Sequence, residues 1–423
     1  MGKVVLITLP SPWLISDEDV PTMGILYIAA YLRQNNVDVE VCDLCGLPED
    51  KWTIPEGDIY GISITTPQYS LAKKVVETLK TRKGEIVVGG FHPSALPYET
   101  SKDLGVRVVV GDGERAMLDI VYGEYNGSSV IKDINLLPWP ARDLIDIRKY
   151  QRMGTNAVVG SGAKREEYVI TSRGCPFNCS YCAQSIISHC KVRYRDLRNV
   201  MDEMEYLIDM YGIDQFYVYD DTFGLSYKRT VEFCTLVKKL RKEHDFYWHC
   251  LLRADTKDDL YDKLYASGCR QVTFGIESFS DKVLSKNQKR TSKRHNINSI
   301  KKAKSAGLRV RSQMIVGLPG ETDETIEETA KWMKELPSDS WGVHIFVPLP
   351  GSPIWLNPEK FDFEFNRSDV YDYYHTIGKP DEWQAHHLHK NPDQVKGWAN
   401  YLRDVARNKN IDQFDARLHE TAN

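Results

Sequence analysis

Arg173-Gly174-Cys175-Pro176-Phe177-Asn178-Cys179-Ser180-Tyr181-Cys182 is the stretch on which the reading of this chain turns. Its cysteines, Cys175, Cys179 and Cys182, are spaced C-x3-C-x2-C and follow a strand-like run at Glu167–Ser172, so they fall on a loop leaving a strand. Three thiolates on one short loop can hold three irons of a cubane [4Fe–4S] cluster and leave the fourth iron open to an exogenous ligand. Structural zinc is the competing reading. It takes four protein ligands, more often as two separated pairs, and Cys190 is poorly spaced from Cys182 to complete such a set.

Downstream of the cysteines, strand-like runs at Gln215–Tyr219, Tyr247–Leu252, Gln271–Gly275, Leu308–Val316 and Trp341–Val347 alternate with helical stretches. The helices are expected at Leu197–Tyr211, Lys228–Glu243, Lys257–Ser267, Lys293–Ala306 and Thr325–Glu335. Together with the run before the cysteines this gives six βα units, a partial (β/α)6 barrel instead of the closed form with eight. Upstream, Lys3–Leu9, Val37–Asp43, Ile59–Ile64, Ile86–Gly89 and Val106–Val110 read as strands, with helices at Met23–Asn35 and Ser70–Lys80. That alternation predicts a Rossmann-like, doubly wound parallel sheet whose ligands sit at the carboxyl ends of the strands. The fold class is therefore α/β. The expected organisation is a Rossmann-like domain over 1–125, a linker over 126–163, a barrel over 164–352 and a short C-terminal extension over 353–423. The linker carries Leu137-Pro138-Trp139-Pro140, a surface-loop composition.

Composition sets limits on function. With 42% hydrophobic and 27% charged residues the 423-residue chain is that of a folded protein, long enough for two or three domains. A net charge of −4 argues against nucleic acid as a partner, and the basic run Lys282–Lys304 reads as a solvated helix face. No apolar run approaches the ~20 residues of a membrane span, and the opening Met1–Ile7 is not organised as a signal peptide. Nine cysteines without such a signal point to a reducing, cytoplasmic setting and to metal or redox chemistry.

Over Glu167–Pro353 the chain resembles the radical S-adenosylmethionine (SAM) superfamily, whose hallmark is C-x3-C-x-aromatic-C on the first loop of a partial barrel. The resemblance implies that SAM chelates the open iron and is cleaved reductively to methionine and a 5′-deoxyadenosyl radical. It also implies an external electron donor such as flavodoxin or ferredoxin. Tyr181 is then expected near the adenine. Asp220, Asp221 and Thr222 stand where the family binds the methionyl ammonium, although its more usual Gly-Gly-Glu is absent. Arg253 and Glu277 are expected at the carboxylate and ribose, and Gln313 and Val316, with the turn Gly317-Leu318-Pro319-Gly320, at ribose and adenine.

The N-terminal pattern Pro21-x-Met23-Gly24-x-Leu26-Tyr27-x-Ala29-Ala30-Tyr31-Leu32 resembles the cobalamin-binding domain of the B12-dependent branch of that superfamily. So do Gly89-Gly90-Phe91-His92-Pro93-Ser94 and Gly111-Asp112-Gly113-Glu114. The contacts expected for cobalamin are Pro12, Trp13, Ser63, Thr65, Thr66, Gly89, Gly90, Phe91, His92, Gly111, Gly113 and Glu114. The Asp-x-His-x-x-Gly motif of classical cobalamin domains is absent; Asp43-Leu44-Cys45-Gly46 carries Cys in place of His, and Cys45 is expected to be structural. Cys42 and Cys45 are too few for a second cluster, which speaks against a methylthiotransferase.

Both cofactors together imply a methyltransferase that attaches a methyl group to an unactivated carbon by way of the 5′-deoxyadenosyl radical and methylcobalamin, in a cleft between sheet and barrel. Two other readings stay open: a cobalamin-binding radical enzyme catalysing a cyclisation or rearrangement, and a non-catalytic cluster-binding protein. No side chain is singled out as acid or base. Tyr217, Tyr219 and Trp248 are candidates for the cavity wall, and the tail with Trp383, His386, His387, His389 and Trp398 is read as a substrate-facing lid or a helical cap. The substrate, whether small molecule, peptide or protein side chain, is not specified by the sequence.

Overall fold

Runs of Val and Ile, bounded by Pro, Gly and Asp, build the first sheet of the computed structural model, which describes residues 2–11, 16–151, 158, 162–365, 367 and 389–408. Its strands are β1 (Val4–Thr8), β2 (Val39–Asp43), β3 (Ile59–Ser63), β4 (Glu85–Gly89) and β5 (Arg107–Val108). They lie in the order β2-β1-β3-β4-β5, all parallel. The strand order reverses beside β1, the topological switch point at which open α/β sheets bind ligands. Helices Met23–Gln34 and Gly113–Tyr122 cover one face through Ile25, Ala29, Ala116 and Met117, and helix Tyr69–Lys80 covers the other through Ala72, Val75, Val76 and Leu79. Two short parallel strands, β6 (Val110–Gly111) and β7 (Ser128–Ser129), follow as a separate pair.

The second unit is a six-stranded parallel sheet of β8 (Glu166–Val169), β11 (Gln215–Phe223), β12 (Tyr247–Leu252), β13 (Cys269–Glu277), β14 (Arg309–Val316) and β15 (Ser340–Ile345), adjacent in chain order. Between its first two strands, β9 (Ser172–Arg173) and β10 (Arg193–Tyr194) form an antiparallel ribbon. Alternate strand residues, among them Phe216, Val218, Trp248, Cys250, Phe274 and Val310, pack outward against the helices in one core. Burying an aromatic of this size contributes roughly 2–3 kcal/mol, and Trp248 is fully buried. The intervening positions, Tyr217, Tyr219 and His249, point to the other face, the barrel interior. Tyr217 and Tyr219 therefore stay candidates for the cavity wall, whereas Trp248, one step out of phase, belongs to the core.

β15 is the open edge of the barrel sheet, and the helix Pro392–Arg407 covers it. Val395, Ala399, Leu402 and Val405 recur at helical spacing and enter the barrel core, while Trp398 Nε1 donates to Asp323 at 2.6 Å. An edge capped in this way offers no unpaired strand to another chain. The described part of the tail is thus a helical cap; Trp383, His386 and His387 lie outside the described residues. No described helix is long and apolar enough to cross a membrane.

Candidate functional site

The β9–β10 ribbon closes the base of the cysteine loop. Gly174 turns the chain there with φ +97°, and a Cβ at this position would fall 2.1 Å from the Lys191 carbonyl oxygen, so only glycine fits. The Gly174 amide donates to Asp221 Oδ2 at 2.6 Å. Asp220, neighbouring in sequence, is committed to β8's exit: its carboxylate accepts from the Thr171 and Ser172 amides at 2.6 and 3.0 Å and from both hydroxyls at 2.6 Å. Four accepted hydrogen bonds leave Asp220 positioning the loop, in contrast to the SAM contact expected of it. Thr222 Oγ1 donates to Cys175 Sγ at 3.6 Å and the Gln184 amide to Cys182 Sγ at 3.4 Å.

Burial pushes the Cys182 thiol up to about 11; the Gln184 amide opposes that shift, and the neighbouring Cys179, Cys175 and Asp221 add to it. Cys175 and Cys179 both lie near enough to oppose ionisation of Cys182, and three thiols on one loop form a donor set that a bound iron–sulfur group satisfies. Cys190 stands apart from it, its thiol donating to the Phe177 carbonyl at 3.8 Å.

Of the residues expected at SAM, Arg253 packs on this loop and Glu277 meets its Tyr181. Tyr181 Oη donates to Glu277 Oε1 at 3.3 Å, and Lys289 Nζ lies 2.7 Å from the same oxygen. The guanidinium of Arg253 lies 3.6 Å from the Phe177 ring centroid and is held by Asp255, at 3.0 Å to each carboxylate oxygen, and by the Lys289 carbonyl. Gln313 Oε1 meets His344 Nε2 at 2.8 Å. Val316 departs from expectation: its side chain is in the barrel core and its carbonyl accepts from Phe346 N at 2.7 Å. In the following turn the Gly317 amide donates to Glu321 Oε2, and burial pushes that carboxyl up to about 8. Lys289 and Glu321 were missed in the sequence because both sit outside any strand or helix period; the Gly-Leu-Pro-Gly-Glu turn was the available signal for Glu321.

At the cobalamin end, Ser63, Thr65, Gly89, Gly90 and the exposed Phe91 line the carboxyl ends of β3 and β4. Thr66 and His92 turn inward: Thr66 Oγ1 meets His92 Nδ1 at 3.2 Å, the imidazole packs on Tyr69 with ring centroids 4.3 Å apart, and burial lowers its pKa to about 4. Gly111, Gly113 and Glu114 also depart from expectation. A Cβ on Gly111 would meet the Ser129 carbonyl at 2.2 Å and one on Gly113 would meet Ile28 at 2.5 Å, while Glu114 pairs with Arg173 at 2.8 Å. These glycines serve close packing within the domain, and Glu114 serves a contact with the barrel. Pro12 and Trp13 lie outside the described residues. Cys45 is structural, as expected: it is buried, its thiol donates to the Leu9 carbonyl at 3.4 Å, and desolvation pushes it up to about 12. Over it, Tyr150 donates to Asp43 at 2.9 Å and Lys149 Nζ lies 2.7 Å from Asp43, so a segment after the first domain covers the position of the classical lower-ligand motif.

Residues 169–333 match the Radical SAM superfamily and residues 16–121 the B12 binding domain. An uncharacterized methyltransferase of Pyrococcus horikoshii is 30% identical over 79% of this chain and 78% of its own length. An anaerobic magnesium-protoporphyrin IX monomethyl ester cyclase of Rubrivivax gelatinosus is 27% identical over 85% of this chain and 70% of its own. In fold, the chain resembles the radical S-adenosylmethionine methyltransferase TsrM from Kitasatospora setae, solved with cobalamin and a [4Fe-4S] cluster, at TM-score 0.67 and 18% identity over 83% of this chain and 73% of that one. The thiol loop at the mouth of a six-stranded barrel, the Rossmann-like sheet in front of it and these likenesses agree: the chain belongs to the radical SAM superfamily, in the branch that carries an N-terminal B12 binding domain.

Proposed function

We propose that this protein is a cobalamin-dependent radical SAM methyltransferase acting on an unactivated carbon of a substrate held between the two units. The observation that carries the reading is the meeting of two sets of strand ends. The thiol loop leaves the carboxyl end of β8, and through Arg173 and Glu114, 2.8 Å apart, it is joined to the carboxyl-end loops of the Rossmann-like sheet. A reacting carbon must lie within reach of both cofactors, and such placement is the main service the protein renders. When bound, the cluster and SAM supply a 5′-deoxyadenosyl radical and cobalamin carries the methyl group.

In this reading Cys175, Cys179 and Cys182 hold the cluster. Tyr181, Thr222, Arg253, Glu277 and Gln313 form the SAM pocket, with Asp221 holding the Gly174 turn beneath it. Ser63, Thr65, Gly89, Gly90 and Phe91 face cobalamin. The wall between them carries Tyr168, Tyr217 and Tyr219 with ring centroids 5.4–5.8 Å apart. Nine free cysteines suit a reducing cytoplasm, where flavodoxin or ferredoxin supplies electrons.

The Rubrivivax likeness favours a second reading, a cyclisation without methyl transfer. Anaerobically reconstituted protein separates the two. The absorbance spectrum reports cobalamin, and product mass on candidate substrates reports the reaction. Methylation adds one CH2 unit and consumes two SAM per turnover; a product two hydrogens lighter, or an isomer, sinks the methyltransferase reading. Absence of 5′-deoxyadenosine under reductant, with wild-type iron content, sinks both.

A further inference from the structure

The ribbon that closes the cysteine loop presents three arginines to the Rossmann-like domain. Arg173 and Arg193 are direct cross-strand partners, and Arg195 follows two residues after Arg193, on the same side of an extended chain. Like charges directly opposite on a two-stranded ribbon repel, so alone this ribbon is self-destabilising. Arg195 is neutralised within the barrel by Glu203, 2.6 Å away, and the first domain neutralises the opposed pair. Glu114 lies 2.8 Å from Arg173, and Asp112 is paired with Arg193 and stands 3.8 Å from Arg173. Tyr27, on helix Met23–Gln34, lies under the Arg173 guanidinium, 4.6 Å from ring centroid to Cζ, and its hydroxyl accepts from Arg195 at 3.4 Å. The acidic pair is almost wholly buried, at 5% and 3% exposure, so these contacts act in a medium of low dielectric where a lost partner is costly.

We propose that this arginine face, meshed with Asp112, Glu114 and Tyr27, is a positioning device that fixes the cysteine loop relative to the cobalamin-binding sheet. Asp112 and Glu114 then belong to the geometry of the cluster and SAM, and the acidic turn after Gly111 is not part of the cobalamin pocket. The pairing is reciprocal: each domain supplies the charges that make the other's loop stable, so loop and sheet reach their working arrangement only when docked. This inference rests on the two-cofactor reading.

Full-length protein, reconstituted anaerobically with iron, sulfide and hydroxocobalamin, tests it. The forms compared are wild type, Glu114→Gln, Arg193→Lys and the charge exchange Arg173→Glu with Glu114→Arg. Iron and cobalamin contents are measured, and the EPR spectrum of the reduced cluster is titrated with SAM. The single variants should keep wild-type cobalamin and far-UV circular dichroism while needing roughly tenfold more SAM for the spectral change, since displacement of about 1 Å is expensive at such a site; the exchange should recover most of that loss. Unchanged titrations in both single variants overturn the proposal, as does loss of cobalamin with an unchanged titration, which would return Glu114 to the cobalamin pocket. An exchange no better than Glu114→Gln overturns it too. Should Glu114→Gln fail to fold, Arg193→Lys decides alone, because it keeps the charge and loses only the paired geometry. Wild type without cobalamin would defeat the proposed function, while the SAM titration still reports on the ribbon.

Discussion

Lys289 Nζ stands 2.7 Å from Glu277 Oε1, with both side chains only 9% exposed, at the point where β13 and β14 lose register. Glu277 occupies a left-handed conformation, φ 63°, that turns its carboxylate back over Gly275, where a Cβ would fall 2.6 Å from that oxygen. The strand exit is bent so that one carboxylate serves Lys289 and Tyr181 together, which places a charged pair on the wall of the SAM pocket proposed above.

Removing one member of this pair strands the other. Lys289→Met is expected to destabilise the apo-protein by about 3 kcal/mol, as for a broken buried ion pair. Adding Glu277→Gln should restore part of that loss, giving a coupling energy of about 1–3 kcal/mol. Urea unfolding of the four forms measures it; additive effects would mean that the pair is screened and contributes little.

Asp220 offers a sharper separation of positioning from SAM contact. Asp220→Asn keeps size but puts an NH2 where an oxygen now accepts from Thr171 or Ser172. At least one buried donor is left without a partner, at about 1–3 kcal/mol. The expected outcome is lower stability and lower iron retention. A variant that keeps its stability and its iron but loses affinity for SAM would return Asp220 to the ammonium site.

Gly351 is the point where the barrel's last exit meets the cysteine loop. A Cβ there would lie 1.5 Å from Ile186 Cδ1 and 3.2 Å from Ala95 Cβ, and the backbone is left-handed at φ +82°. Gly351→Ala should therefore push the helix Ser185–Ser188 away from the first domain and reduce iron retained after reconstitution by half or more. Ile186→Ala in the same chain removes the steric part and should restore iron. It leaves about 1–2 kcal/mol of backbone strain visible in thermal melting. Iron unchanged in Gly351→Ala would show that the loop shifts without cost.

The alternation of apolar runs made both units legible, because period 2 against period 3.6 survives any tertiary context that buries one face. Boundaries moved, by one residue at the start of β15, expected from Trp341 and found from Ser340, and by four at the end of β11, expected at Tyr219 and found at Phe223. The cysteine triplet was legible because three thiols share one loop. The roles of Gly111, Gly113, Glu114 and Asp220 were not. Their partners, Ser129, Ile28, Arg173 and Ser172, are chosen by how two units and several loops dock, and no local spacing encodes that. That the tail caps the barrel was one of two readings, but the bounds of the helix Pro392–Arg407 were not legible for a related reason: its apolar stripe is four residues in a polar setting, meaningful only beside an uncovered strand edge.

His92 links that inward turn to a measurable pH dependence. Its folded pKa is lowered to about 4 by burial, against about 6.5 for an exposed imidazole. Above pH 6.5 both folded and unfolded chains carry it neutral and it exerts no pH effect. Below 6.5 the unfolded chain takes up a proton that the folded chain refuses, so stability falls as pH drops, and the fall ends near pH 4. The slope is about 1.4 kcal/mol per pH unit within that window. Urea unfolding of the apo-protein between pH 7 and 4.5 should therefore show a steeper loss for wild type than for His92→Gln, whose amide keeps a polar group facing Thr66 but does not titrate. Parallel curves would mean that His92 reaches solvent, which is the condition under which it could touch a corrin; divergent curves leave cobalamin to Ser63, Thr65, Gly89, Gly90 and Phe91 around it.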